Sequence, residues 1–148
     1  MRRSTTSFLF PDINVWVALS YGAHVHHDVA RDWFAELPLA ARCSFCRLTQ
    51  LGLLRLLTAE AVMKEDVLSQ AEAWGVYDRW VEDPRVTLLD EPPALERRFR
   101  ALTRSRQASP KAWADAYLAA FADASQLTLV TFDGGFRGRV GSLLLLAE

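Results

Sequence analysis

The sequence predicts an α/β domain in which a central, mainly parallel sheet is covered by helices on both sides. Short apolar runs rich in β-prone residues alternate with longer segments of helical periodicity along the whole chain. The length of 148 residues, of which 51% are hydrophobic, suits one domain with a proper core. We therefore interpret residues 1–148 as a single domain with three layers, helices on sheet on helices.

Five apolar runs are interpreted as the strands of this sheet. The first runs directly into Pro11 and Asp12, after which helical spacing begins at Val15. The clearest run, LTLVTF, ends at an Asp-Gly-Gly turn that opens with Asp133. The predicted strands are 8–10, 42–45, 86–89, 127–132 and 143–146.

The segments between these strands carry apolar residues at helical spacing. Val29, Trp33 and Leu37 fall on one face, which is typical of an amphipathic helix that covers a sheet. Another helix is expected from residue 48, and a further helical stretch over 59–83 ends at an Asp-Pro pair. The leucines of this helix from residue 48 that are expected to be buried are Leu48, Leu51, Leu54 and either Leu57 or Leu56.

Two further helices are predicted in the second half of the chain. One covers 95–102 and has an exposed side rich in arginine. The other begins at Ser109-Pro110, with the serine as N-cap, and carries an apolar face that starts at Trp113. Asp115 lies early in this helix, near that face.

Charge, hydropathy and cysteine usage exclude several classes of protein. The formal net charge of -1 gives no global attraction to nucleic acid, so any such contact needs a local patch. No stretch approaches the roughly 20 apolar residues of a membrane span, and the first apolar run is too short for a signal peptide. We expect a soluble cytoplasmic protein. The lone CxxC pair, Cys43 and Cys46, favours buried free thiols, and zinc binding with His24, His26 or His27 is the alternative.

Three acidic side chains are expected at one edge of the sheet. Asp12 and Asp133 follow strands that end at the same edge if both run parallel, and Asp115 lies on the helix that leads into the second of them. At about 4 Å and an effective dielectric near 20, two ionised carboxylates repel by about 4 kcal/mol. Such a group is tolerated with a divalent cation or with raised pKa values, and Mg²⁺ or Mn²⁺ there would support phosphodiester hydrolysis. Each acid alone is equally explained as a helix cap or turn residue.

Four motifs follow one another along the chain: PDINVWVAL, CRLTQLGLLRLLT, WADAYLAAFA and LVTFDGGF. In this order they resemble the PIN domain family, and within it the VapC-like toxins of prokaryotic type II toxin-antitoxin systems. The resemblance spans nearly the whole chain and implies a PIN-like sandwich fold. It also implies a Mg²⁺- or Mn²⁺-dependent endoribonuclease of structured RNA such as tRNA or rRNA, a VapB-like antitoxin that blocks the site, and a homodimer.

The resemblance also assigns roles to individual residues. The metal ligands would be Asp12, Asp115 and Asp133, and the family's remaining acid, usually Glu, falls at Gln50, which is expected to assist catalysis without a charge. The polar residues expected to orient the carboxylates and water are Asn14, Thr49 and Thr131. The arginines expected to contact RNA phosphates are Arg47, Arg137 and Arg139.

The substitution at Gln50 leaves a second hypothesis open. A PIN module with weakened catalysis would bind RNA or a protein partner without efficient cleavage. A phosphatase of the haloacid dehalogenase type also begins with an Asp after the first strand, but it needs a second Asp where this chain has Asn14. A receiver domain is disfavoured because no Lys lies near the last strands.

Overall fold

Five parallel strands form one sheet in the computed structural model, which describes residues 7–147. The strand order is β3-β2-β1-β4-β5, and every neighbouring pair runs parallel. The strands are β1 (Phe8–Pro11), β2 (Arg42–Phe45), β3 (Val86–Leu88), β4 (Thr128–Thr131) and β5 (Leu143–Leu145). The predicted parallel sheet is confirmed, and its central strand β1 pairs directly with β4, so both end at the same edge.

The connections between strands are helical and cover both faces of the sheet. The α-helices of the described residues are α1 (Ile13–Ser20), α2 (His27–Ala35), α3 (Arg47–Leu57), α4 (Glu60–Met63), α5 (Gln70–Glu82), α6 (Leu95–Leu102) and α7 (Ala112–Ala124). Short 3-10 turns follow α4 and β4, at Lys64–Asp66 and Gly134–Phe136. Within residues 7–147, no helix has the length and apolar character needed to cross a bilayer.

The alternating side chains of the strands divide the apolar interior into two clusters. On one face Trp16 of α1 stacks on Phe45 of β2, with ring centroids 3.9 Å apart, in a cluster that also includes residues of α2, α3 and α5. On the other face Phe10 of β1 stacks on Phe121 of α7 at 5.0 Å. Because neighbouring residues of a strand point to opposite faces, Leu9 belongs to the first cluster and Phe10 to the second. The predicted three-layer sandwich is therefore confirmed.

The predicted start of the last helix is wrong by two residues. α7 begins at Ala112 with Lys111 as N-cap, and the backbone N–H of Ala112 donates to the Ser109 carbonyl at 3.0 Å. Ser109-Pro110 therefore forms a turn before the helix instead of its first residues. Trp113, expected on the apolar face, is 56% exposed because the inward face of α7 begins at Ala116.

The expected buried face of α3 is wrong at Leu51, whereas Leu57 is buried and Leu48 and Leu54 pack half-buried against the core. Leu51 is 58% exposed, whereas Gly52 and Leu53 are buried. Gly52 lets α3 pack closely on α1, since a Cβ atom at this position would lie 2.4 Å from Cδ1 of Ile13. This close approach fixes the rotation of the helix and turns Leu51 outward.

The stretch predicted as helical over 59–83 contains a break, and α5 begins only at Gln70. Ser69 caps α5, since its hydroxyl accepts from the Glu72 backbone N–H at 3.1 Å. The Glu72 carboxylate in turn accepts from the Ser69 backbone N–H at 2.9 Å. This reciprocal capping box is a start signal visible in the sequence.

The two cysteines are buried free thiols, as the sequence favours. Burial raises the pKa of Cys43 to about 12 and also raises that of Cys46. Both therefore remain protonated near neutral pH in the metal-free protein, which disfavours thiolate chemistry.

Candidate functional site

Asp12 lies at the carboxyl end of the central strand and caps α1. Its backbone N–H donates to the Val130 carbonyl of β4 at 2.9 Å, and its Oδ1 accepts from the Val15 backbone N–H at 3.1 Å. The Thr131 hydroxyl donates to the other carboxylate oxygen. Only 6% of Asp12 is exposed, so this carboxylate is held in one orientation at the end of the sheet.

Thr131 connects the ends of the two central strands. While its hydroxyl donates to Asp12, its oxygen accepts from the backbone N–H of Asp133 at 3.0 Å. The Asp133 carboxylate accepts from the Gly135 backbone N–H at 2.8 Å, in the turn that follows β4. One fully buried hydroxyl therefore fixes both the Asp12 side chain and the backbone that carries Asp133.

The negative charge of Asp133 contributes to raising the pKa values of both Asp12 and Asp115. Burial raises the pKa of Asp12, and the charge of Asp133 adds to this rise, while hydrogen bonds from Thr131, Val15 and Asn14 oppose it. Burial also raises the pKa of Asp115, again with a contribution from Asp133 and against the attraction of Arg139. Asp133 therefore lies close enough to interact electrostatically with both Asp12 and Asp115 at this edge of the sheet.

The donor chemistry at this edge fits a hard divalent cation. The hydrogen bonds to the buried Asp12 carboxylate come from a hydroxyl and from backbone amides, and none of these donors carries a positive charge. No group of three His, Cys, Asp or Glu side chains in the described part of the chain is arranged closely enough for a ready-made metal site. A cation bound between these acids would relieve their repulsion.

Gln50 and Thr49 lie in the first turn of α3 with their side chains already engaged. The Arg47 guanidinium donates to Oε1 of Gln50 at 2.7 Å, and Gln50 is 5% exposed. The Thr49 hydroxyl accepts from the Cys46 backbone N–H at 3.0 Å and donates to the Cys46 carbonyl at 3.1 Å. Thr49 therefore caps α3, and Arg47 fixes the Gln50 amide.

Two open clefts border the acids and differ in chemistry. The first, of about 400 Å³, is named here the histidine cleft. It is lined by Asn14, His24, Val25, His26, Thr131, Phe132 and Asp133. The second, of about 490 Å³, is named the basic cleft and is lined by Ser109, Pro110, Lys111, Ala112, Asp115 and Arg139.

The clefts show which sequence-predicted residues the fold brings near the acids. Asn14 is exposed in the histidine cleft, and Arg139 lies beside Asp115 in the basic cleft. Arg137 is exposed in the segment that follows the Asp133 turn, and it lines neither cleft. Lys111 was not predicted as a site residue, because its place at the edge depends on the turn that delays the start of α7.

We expect Thr131→Val to destabilise the protein by about 1–3 kcal/mol, because the Asp133 backbone N–H and an Asp12 oxygen lose their shared partner. Urea unfolding at neutral pH measures this loss. Thr128→Val on the same strand is the matched control, because the Thr128 hydroxyl contacts Ser142 in an exposed position and its loss should change stability by less than about 0.5 kcal/mol. Equal stabilities of the Thr131 variant and the wild type would contradict the connecting role.

The sequence of this chain is similar to a known protein family and to several known relatives. Residues 9–140 match the family described as the PIN domain. The chain is 41% identical over 145 residues to Ribonuclease VapC41 of Mycobacterium tuberculosis, a match that covers 95% of this chain and 99% of that protein. It is 30% identical over 140 residues to Ribonuclease VapC29 of the same organism, with 91% and 92% covered.

Solved structures share the fold. VapBC2 from Rickettsia felis, bound to a DNA fragment from their promoter, gives a TM-score of 0.68 at 14% identity, covering 94% of this chain and 98% of that one. VapC20 of Mycobacterium tuberculosis, described as a sarcin-ricin loop cleaving toxin, gives 0.68 at 19% identity, covering 94% and 99%. At such low identities these similarities support the fold alone.

Proposed function

Since this chain belongs to the PIN domain family, we propose that it is an endoribonuclease toxin of the VapC type, dependent on Mg²⁺ or Mn²⁺. The observation that carries the proposal is the connection made by Thr131, which holds Asp12 and the backbone of Asp133 at one edge of the sheet. The repulsion between Asp133 and Asp115 adds the third acid of the expected set. The relative that is 41% identical, Ribonuclease VapC41, is itself named as a ribonuclease.

Asp12, Asp115 and Asp133 would hold the cation. A bound Mg²⁺ or Mn²⁺ supplies charge stabilisation to phosphate oxygens and lowers the pKa of a water molecule. Thr131 keeps one Asp12 oxygen oriented by its hydrogen bond, and the exposed Asn14 amide can position water or substrate in the histidine cleft. Lys111 and Arg139 line the basic cleft beside Asp115, where their cationic groups would bind the RNA phosphates.

Gln50 would act as a neutral group whose amide is held by Arg47. A glutamate at this position would instead form an ion pair with the same guanidinium, because Arg47 lies 2.7 Å from the side-chain oxygen. The Arg47 guanidinium would therefore neutralise much of the negative charge added by the glutamate. This contact supports an active enzyme with Gln50 over the alternative of a weakened module that only binds RNA or protein.

We expect Gln50→Glu to change the rate of RNA cleavage by less than about threefold, since Arg47 would neutralise the new carboxylate. Initial cleavage rates of the same RNA at saturating Mn²⁺ measure the effect. The double variant Arg47→Ala with Gln50→Glu separates the charge from its partner. An inactive wild type that gains cleavage with Gln50→Glu would instead support the weakened module.

The proposal is tested by incubating the purified protein with total RNA, with Mn²⁺ or with EDTA, and mapping new 5′ ends. We expect discrete cleavage within tRNA or rRNA that requires Mn²⁺. Cleavage that persists in EDTA would overturn the metal dependence, and an absence of cleavage under all conditions would overturn the enzyme.

The proposed partners follow from the toxin assignment. Expression of the chain in the bacterial cytoplasm should arrest growth, and co-expression of a VapB-like antitoxin should restore growth. The exposed apolar side chain of Leu51 on α3 provides surface for a homodimer. Light scattering of the purified toxin measures that state, and a monomeric mass would overturn the homodimer.

A further inference from the structure

The loop between α1 and α2 places aromatic rings beside the acids. The ring of His26 stacks on Phe132 with centroids 4.3 Å apart and an interplanar angle of 16°. The ring of His24 lies 5.7 Å from that of His26, and its Nδ1 accepts from the His26 backbone N–H at 3.0 Å. Since Phe132 lies between Thr131 and Asp133 in the chain, the ring group adjoins the candidate catalytic edge.

The groups in the histidine cleft suit a planar, uncharged ligand. Three aromatic rings line it, and Val25 between the two histidines is 86% exposed. Burial and the neighbouring His26 and His27 lower the pKa of His24, so its ring is neutral near pH 7. The exposed Asn14 amide offers both a hydrogen-bond donor and an acceptor.

The two clefts therefore divide the chemistry of a nucleotide between them. Lys111 and Arg139 in the basic cleft suit the charged phosphate, whereas aromatic side chains and an amide are what proteins use to hold an unpaired base. Two of the acids lie at these clefts, since Asp115 lines the basic cleft and Asp133 lines the histidine cleft.

We propose that the histidine cleft is a nucleobase subsite, in which an unpaired RNA base next to the scissile phosphate packs against the rings of His24, His26 and Phe132 and bonds to Asn14. This inference rests on the proposed ribonuclease function for its link to cleavage. It identifies the substrate as single-stranded at the cleavage point, such as a loop, because a paired base cannot enter the cleft.

The kinetic test uses an oligonucleotide that spans a mapped cleavage site, with the base intact or removed at each nucleotide that flanks the scissile phosphate. For the wild type, removal of the base at one flank should lower kcat/KM about tenfold or more. In Phe132→Leu and His24→Asn the penalty should fall below about threefold. Leucine keeps apolar bulk at residue 132, and asparagine retains an acceptor for the His26 backbone N–H. Trp74→Leu removes an exposed ring elsewhere and should keep the wild-type penalty.

A binding test separates the subsite from the enzyme activity. Short single-stranded oligouridine with one 2-aminopurine is titrated with protein in EDTA, where stacking should quench the fluorescence of the wild-type complex and of Trp74→Leu but not of Phe132→Leu. Quenching without any cleavage would overturn the proposed function and support the subsite. Cleavage with equal base-removal penalties in all variants, or binding without quenching, would overturn the subsite alone.

Discussion

Asp12→Asn should reduce RNA cleavage by roughly a thousandfold or more and relieve growth arrest, while the protein remains folded. The change removes the buried charge that several kcal/mol of transition-state stabilisation would depend on, at about 1.4 kcal/mol per tenfold in rate. Asparagine still accepts from the Val15 backbone N–H as an N-cap, so α1 should form normally. Single-turnover cleavage with Mn²⁺ measures the loss, and a variant that cuts RNA at the wild-type rate would show that Asp12 is not in the site.

The same variant should show the opposite effect on stability. The pKa of Asp12 is raised in the folded protein, so its stabilising contribution is complete below the unfolded value of 3.8 and is lost as pH rises through the folded pKa. Ionisation of this buried carboxylate lowers the stability of the metal-free protein, so at neutral pH Asp12→Asn should be at least as stable as wild type. Urea unfolding over a pH series measures this, and the difference should shrink in acid. Mn²⁺ should stabilise the wild type and leave the variant unchanged.

Asp115→Asn is expected to lower cleavage by about a hundredfold or more without loss of stability. Burial and the charge of Asp133 both raise the pKa of Asp115, so removing its charge relieves repulsion in the metal-free protein. Cleavage rates in Mn²⁺ measure the first effect, and melting temperatures in EDTA measure the second. A variant with full activity would exclude Asp115 from the site.

Asp123→Asn on the same helix provides a matched control for Asp115. The Asp123 carboxylate forms an ion pair with Arg98 at 2.9 Å and accepts from the Gly141 backbone N–H at 2.8 Å. Its replacement should lower stability by up to about 1 kcal/mol and leave the cleavage rate unchanged. The two variants should therefore change activity and stability in opposite patterns, which a general disturbance of α7 could not produce.

The layered fold was predictable because each strand carries a strong local signal. The run before Asp12 and the LTLVTF run are apolar and end at turn residues, and parallel pairing of β1 with β4 then brings their ends together. The helix faces were less predictable. The orientation of α3 depends on the close approach of Gly52 to Ile13, and these residues lie far apart in the sequence. Periodicity alone therefore predicted Leu51 to be buried, although it is exposed.

The places of the three acids in the fold were predictable from the sequence, whereas the contacts around them were not. Asp12, Asp115 and Asp133 stand at positions that topology alone assigns, although their final distances depend on side-chain packing. The contact of Arg47 with Gln50 and the stacking of His26 on Phe132 depend on tertiary packing, and the second joins a loop to the end of β4. No periodic pattern predicts such contacts.

The central position of β1 has a consequence for control of the protein. Asp12 follows a strand hydrogen-bonded on both sides, and its own amide donates to β4, so this amide should exchange with deuterium only on global unfolding. Displacing the backbone that carries Asp12 would therefore cost most of the free energy of folding. An inhibitor therefore has to act by occlusion, covering the rim from outside while the scaffold beneath stays unchanged.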